Sequence, residues 1–479
     1  MTHAALPPEI WLHIAQCLDD QYIQRREHRL HEVSSVFLQV ALDRRYRALK
    51  VTDITQQSIH RIERLADPAI ACRVRSLTLA PHLNTNRARG GVAGHGAAMT
   101  IFGGLVGALL RPSGPTTQQS ACVFEDWLKV IIRVLPLLSS LDTFGLHTDT
   151  LDPAKLDIQP LVTCAWQSSC AHVTDLRLQA SLPGFATLLH TKPHLPHLER
   201  LKLAFIHANQ PAPDAEDALL AYVAPFVNRH AARLCALRVH FWTYLLHLDL
   251  APLFNALRPL PALHTFALHA PYTEVVRSDP TGLVRLLCTP TLRTVYLCGN
   301  ARSAAPIAAE PDPLLVDFVC RLAEEEAALR SVSTLDICAA TSPGGLPAFR
   351  KLLACLAPTL GTLRVREYDL APEELQELVG ALAGSSSITS LALNIRALCP
   401  ILFDVLYTAL PGLRKLTLNI KDAMFDPVSR AAFRDAMDER RYEEWKLEEL
   451  EIRNRIDAVT MGSLKKAMPR AVVTSLGTL

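Results

Sequence analysis

The chain has 479 residues, 49% of them apolar and 20% charged, with a formal net charge of +2. Charge this near balance gives no general reason to expect nucleic acid or an anionic membrane as partner. The apolar content excludes an intrinsically disordered chain and can supply a long continuous core. Length alone suggests about three ordinary globular domains, although a repeat array can run this long as one.

At the N-terminus, Leu6 to Leu18 (LPPEIWLHIAQCL) reads as a helix. Pro8 suits the first helical position, Glu9 complements the macrodipole, and Leu6 can staple onto Trp11. Ile10, Ile14 and Leu18 share one stripe. After the polar stretch Asp19 to Arg29, Leu30, Val33, Phe37 and Val40 mark a second helix. A third, basic piece runs from Asp43 to Val51, with Tyr46 and Leu49 apolar. Three short helices in fifty residues bury little surface alone and need a neighbour, either the following segment or a separate protein. Residues 51–72 are expected to be a helical linker.

A glycine-rich insertion is expected at about 84–120. Its apolar run, Ala97 to Leu110, is about fourteen residues long, while a spanning helix needs about twenty. Turn formers flank it on both sides, so it reads as a loop insertion carrying a small buried helix.

The pattern apolar-x-x-apolar-x-apolar then dominates residues 73–479. It appears as VRSLTL from Val74, VTDLRL from Val173, LERLKL from Leu198, LCALRV from Leu234 and LHTFAL from Leu263. It continues as LRTVYL from Leu292, VSTLDI from Val332, LGTLRV from Leu360, ITSLAL from Ile388, LRKLTL from Leu413 and LEELEI from Leu447. From Val173 onward successive copies start 25, 36, 29, 29, 40, 28, 28, 25 and 34 residues apart. Each copy ends in alternation, which makes a short strand with one buried and one open face. Helical spacing lies between copies: Asp217 to Val227 with Leu219, Leu220, Val223 and Phe226; Leu314 to Ala328, ending in a solvated Glu324-Glu325-Glu326 face; and Pro372 to Leu382 with Leu375, Leu378, Val379 and Leu382. One strand-plus-helix unit cannot bury its own apolar stripe, and stacking units solves this with a parallel sheet inside and helices outside. A doubly wound α/β domain also alternates strands and helices, but its strands are longer apolar runs buried on both faces.

Over roughly residues 70–479 the chain resembles the leucine-rich-repeat family. That resemblance implies an α/β solenoid. The family places Asn or Cys three residues after the last apolar position; here only Asn300 obeys, while Ile206, Trp242, Pro271, Tyr368 or Lys421 stands elsewhere. This departure, with spacings of 25 to 40, implies an irregular array.

Residues 1–50 resemble an F-box, most closely the loosened form of fungal F-box proteins. Leu6, Pro7, Glu9 and Ile10 match its opening, Ile14 and Leu18 its later helix positions, and Val33-Ser34-Ser35-Val36-Phe37 its second conserved region. Leu18-Asp19 replaces the usual Leu-Pro, and Phe37 replaces a Trp. The resemblance implies docking on a Skp-type adaptor, and through it a cullin ubiquitin ligase. The implied adaptor contacts are Leu6, Pro7, Pro8, Glu9, Ile10, Ile14 and Leu18, with Val33, Val36 and Phe37 behind them. The repeats would then present a target protein for degradation. The alternative is a ligase-independent interaction scaffold whose N-terminal helices merely cap the solenoid.

Twelve cysteines are scattered from Cys17 to Cys399 with no C-x-x-C pair, and no N-x-[ST] acceptor occurs. With no basic stretch and apolar h-region at the start, the expectation is reduced thiols in an intracellular protein, cytoplasmic or nuclear. His190, His194 and His197 lie near one another, but Pro193 and Pro196 break any helix that would align them. H-E-x-x-H, G-x-S-x-G and phosphate-loop patterns are all missing from the sequence. Neither enzymatic activity, nor a cofactor, nor a metal is expected.

The residue between the last two apolar positions of each copy faces the open side. In order these are Arg177, Lys202, Arg238, Ala267, Tyr296, Asp336, Arg364, Ala392, Thr417 and Glu451. Arg177, Lys202 and Arg238, with Arg200 adjoining, form a basic stripe expected to contact an acidic target. The bland alternative is a solvated sheet face.

Overall fold

The computed structural model describes residues 35–82, 117–148, 157–206, 215–241, 249–270, 279–298, 313–338, 345–383, 385–421, 427–454 and 456–475. Two compact units divide the chain, Met1–Leu198 and Glu199–Leu479.

The first unit holds β1 (Ala48–Asp53), β2 (Ser76–His82), β3 (Thr143–His147) and β4 (Asp175–Ala180), paired in parallel in chain order. The second holds β5 (Arg200–Phe205), β6 (Ala236–Phe241), β7 (Thr265–His269), β8 (Thr294–Cys298) and β9 (Thr334–Ile337). It continues through β10 (Thr362–Leu370), β11 (Ser390–Ile395), β12 (Lys415–Ile420), β13 (Glu449–Arg453) and β14 (Val472–Ser475), each parallel to the one before. A doubly wound sheet reverses its strand order at a switch point; neither unit does. Each is an α/β solenoid of leucine-rich-repeat type.

Leu237, Phe266, Val295, Leu335, Leu363, Leu391, Leu416 and Leu450 stand side by side on successive strands. None is more than 1% exposed. Burying such a side chain contributes about 1.5–3 kcal/mol, so one row spans the unit as a continuous stabilising seam. Register is set just before each strand, where one carbonyl accepts two successive N–H groups from the next repeat. Cys235 O takes His264 and Thr265 at 2.8 and 3.0 Å; Gly361 O takes Thr389 and Ser390 at 2.9 and 3.1 Å; Arg414 O takes Glu448 and Glu449 at 2.7 and 3.0 Å. The strands therefore stay aligned although the repeats differ in length, and the connecting segments absorb the difference.

Several local results refine the sequence reading. Residues 51–72 are not a purely helical linker: Val51 to Asp53 belong to β1, and only then do helical turns follow at Gln56–Glu63, Arg64–Ala66 and Pro68–Ala71. Asp43 to Arg47 continue the helix Ser35–Arg47 instead of forming a third helix. Thr55 caps the helix Gln56–Glu63, its hydroxyl accepting from Ser58 N at 3.2 Å. In Asp217 to Val227, a π-turn at Leu219–Val223 rotates Leu220 out of the stripe to 42% exposure, while Leu219, Val223 and Phe226 stay buried. The extra residue of a π-turn shifts the helical phase, which no 3.6-residue spacing anticipates. The helix Pro372–Ala381 follows the pattern, with Leu375, Leu378, Val379 and Leu382 buried. Glu324, Glu325 and Glu326 are exposed, but the helix Pro313–Glu324 ends at the first of them.

The helix Ser35–Arg47 is fastened to the repeats by Arg73. Its guanidinium donates to Gln39 O at 3.3 Å and also bonds the side chains of Gln39 and Asp43. Leu6, Pro7, Pro8, Glu9, Ile10, Ile14, Leu18 and Val33 lie outside the described residues, as do the run Ala97 to Leu110 and Trp242, Pro271 and Asn300. Val36 and Phe37 lie in the helix Ser35–Arg47, with their side chains outside the described set. No helix among the described residues is long and apolar enough to cross a membrane.

Candidate functional site

In the second unit the open-face residues stand in one ladder. Lys202 pairs with Arg238, then come Ala267, Tyr296, Asp336, Arg364, Ala392, Thr417 and Glu451, each opposite the last. Period-two alternation puts the residues two positions away on the same face. Arg200, Ala236, Thr265, Thr294, Thr334 and Thr362 form a flanking row over β5–β10. On the other flank stand Ala204, His240, His269 and Cys298, and the same alternation adds Arg366 after Arg364.

The resulting patch is strongly cationic. Over β5–β10 the described open face carries Arg200, Lys202, Arg238, Arg364 and Arg366, and the single carboxylate of Asp336. Asp336 was expected to face solvent, yet its side chain is only 2% exposed. Two arginines roof it over. Arg366 Nε donates to both carboxylate oxygens at 2.8 and 3.0 Å, its Nη2 lies 2.7 Å away, and Arg364 Nη1 donates at 3.4 Å. Cys298 Sγ sits 3.8 Å from the same carboxylate. Ala204, Ala267 and Cys298 are likewise buried, at 1%, 2% and 5% exposure. Short side chains thus form a floor and long cations form the rim.

His240 and His269 stack between these cations, with ring centroids 5.1 Å apart and planes 22° apart. Burial, His269 and Lys202 together hold His240 down at about 4. Burial also depresses His269, helped by Arg366, Lys202 and Arg238 and opposed by Asp336. Both imidazoles are therefore neutral near pH 7, each with one N–H donor. A cluster of cationic side chains and N–H donors is chemistry that suits a negatively charged ligand.

Lys202 and Arg238 face each other across β5 and β6, and Arg200 is exposed beside them opposite Ala236. Arg177 lies on β4 in the first unit and is neutralised locally by Asp175 at 2.9 Å. Within the second unit the cationic surface also includes Arg364 and Arg366. The sequence reading passed over His240, His269 and Arg366, although each lies two residues after a position it named. That spacing was the available signal. His190, His194 and His197 are not brought together as a ligand set; among the described residues no three His, Cys, Asp or Glu side chains cluster to hold a metal.

No known family matches the chain, and no curated protein does. Among solved structures, a chain of the yeast Rad7 and Elc1 complex is similar at 11% identity and a TM-score of 0.35, over 74% of this chain and 75% of that one. The fold is read from the strand register, not from this likeness.

Proposed function

We propose that the chain is the target-holding subunit of a cullin-type ubiquitin ligase, with residues 1–50 docking a Skp-type adaptor and the repeats gripping a target protein. The observation that carries the protein-binding half is the ladder of β5–β10, whose open face displays five cations over a floor of short side chains. A stacked array of this kind offers an extended surface rather than an enclosed pocket. The adaptor half is supported by the Leu6-Pro7-x-Glu9-Ile10 opening and the later Ile14 and Leu18. In this role the chain makes and breaks no bonds; it contributes proximity by holding the target near the conjugating enzyme.

The test is co-purification with the adaptor. The triple variant Leu6→Ala, Pro7→Ala, Ile10→Ala abolishes adaptor recovery while circular dichroism stays that of the native chain. Undiminished recovery sinks the ligase reading.

One observation favours a second reading, a ligase-independent scaffold with an N-terminal cap. Arg73 ties the helix Ser35–Arg47 to the repeats through Gln39 and Asp43, as a cap requires. Under that reading the same triple variant leaves every partner of the full chain in place.

A further inference from the structure

In the first unit, among the described residues, β1 pairs with β2 alone. A strand turns the backbone N–H and C=O groups of alternate residues toward each of its edges, so the edge away from β2 presents its own set. The inner rows of the sheet mark the same boundary. Leu49 continues the row of Leu77, Phe144 and Leu176, and Val51 continues that of Leu79, Leu146 and Leu178. Those six neighbours are at most 1% exposed, yet Leu49 and Val51 are only half-buried. An inner side chain of a stacked array is covered by repeats on both sides, and among the described residues β1 has a repeat on one side.

A groove of about 410 Å³ runs along that edge, lined by the whole stretch Leu49 to Asp53. Alternate residues of a strand point to opposite faces, so a continuous stretch shares one wall only at the strand's edge. Ser58, Arg61 and Ile62 of the helix Gln56–Glu63 line it too, with Arg64 and Leu65 of the turn that follows. Arg45 and Tyr46 stand where the chain enters β1, the guanidinium 5.8 Å from the ring centroid. The lining thus carries the cations of Arg45, Lys50, Arg61 and Arg64 against the carboxylate of Asp53. The carboxylates nearest these arginines in sequence, Asp43 and Glu63, meet Arg73 and Arg133 instead. A local surplus of positive charge favours an anionic partner.

We propose that this groove takes an acidic, extended segment of a partner protein, which adds a strand to β1, lays alternate apolar side chains beside Leu49 and Val51, and sets carboxylates against Lys50, Arg61 and Arg64. Main-chain hydrogen bonds to the edge supply affinity in this mode, and the alternate side chains supply specificity. The stretch Leu49 to Asp53 spans about 17 Å, so the segment has about five residues, apolar and acidic in turn. Covering the half-buried Leu49 and Val51 completes the two inner rows, as a further repeat would. None of the residues named for adaptor docking lines the groove, and the β5–β10 ladder belongs to the second unit, so this surface stands independently of the ligase reading.

The experiment uses the full chain and a fluorescein-labelled peptide, Glu-Val-Glu-Val-Glu between Gly-Ser flanks, read by anisotropy at about 150 mM salt, where surface charges are screened beyond about 8 Å. The peptide binds, and its Gln-for-Glu counterpart binds at least about tenfold less tightly. Two further forms are methylated on the backbone nitrogens, one at the valines and one at the glutamates. They keep every side chain, and because N–H groups of alternate residues point to opposite edges, one of them loses its donors to β1 and binds at least about tenfold less tightly. Arg61→Glu with Arg64→Glu weakens binding at least about tenfold, because cations give way to like charge. Arg61→Gln with Arg64→Gln repeats the loss more mildly and guards against misfolding in the reversed variant. No binding, methylated forms that both bind as the parent does, or binding indifferent to Arg61 and Arg64 overturns the proposal. So does self-association of the chain, read by sedimentation, that Arg61→Glu with Arg64→Glu disrupts, since the occupant is then a second copy. Adaptor recovered with the peptide unbound removes this inference alone; peptide bound with the adaptor lost removes the ligase reading alone.

Discussion

Within Glu199–Leu479, β5–β10 and β11–β14 share one register and one kind of core, yet their open faces differ in kind. In the second group charges answer one another across neighbouring strands. Arg414 meets Glu448 at 3.3 Å, Lys415 meets Glu449, and Thr417 Oγ1 bonds Glu451 at 3.3 Å. Asn394 and Asn419 continue this self-satisfied surface at 3.3 Å. In the first group the one carboxylate among the described open-face residues is sunk beneath two arginines, and two imidazoles are held neutral by their surroundings. One backbone scaffold thus supports a surface of alternating charge and another that is mainly cationic among the described residues. The difference lies entirely in side chains at alternate positions, so mutation can separate scaffold from surface.

The largest effects should be the same in both groups. Phe266→Ala on β7 and Leu416→Ala on β12 remove fully buried side chains from one continuous row. Losses of about 3–5 and 2–5 kcal/mol are expected from urea unfolding. If only one of the pair were costly, the common core would be wrong.

Asp336→Ala should cost about 1.5–3 kcal/mol, since it deletes a buried acceptor of charge-assisted bonds from Arg364 and Arg366. Its counterpart, Thr417→Ala, loses a neutral donor to Glu451 and should cost about 0.5–1.5 kcal/mol. The same unfolding measurement ranks the two, and equal costs would remove the contrast. The weakest effect is Lys415→Ala, under about 1 kcal/mol, because Lys415 and Glu449 are about half exposed and well screened.

Acid should also act unevenly. His240 titrates at about 4 in the folded chain against an ordinary 6.5, so between those values the unfolded chain binds the proton first. Stability supplied by the neutral ring is present above about 6.5 and is lost as pH falls toward 4. Melting temperatures of the native chain and of His240→Gln, followed from pH 7 to pH 5, should converge. Parallel curves would show that the ring carries no such linkage.

Much of this surface can be read from the chain one residue at a time. The positions between the last two apolar residues of each repeat do form a single row, from Lys202 to Glu451, because alternation along a strand is a local property. The first strand was harder to see. In Ala48–Asp53 the inward Leu49 and Val51 are only half-buried and belong to a shorter pattern, so they merge with the basic helix before them.

Sequence alone determined the alternation of short strands with helices, the buried partner of each strand and the open-face candidates, since each depends on spacing within a few residues. Tertiary structure decided the rest: that His240 stacks on His269, and that Arg364 and Arg366 close over Asp336. These are contacts between residues about 30 positions apart or between charges set by neighbouring strands. They exist only once backbone hydrogen bonds have aligned repeats of unequal length, and no local pattern encodes that alignment.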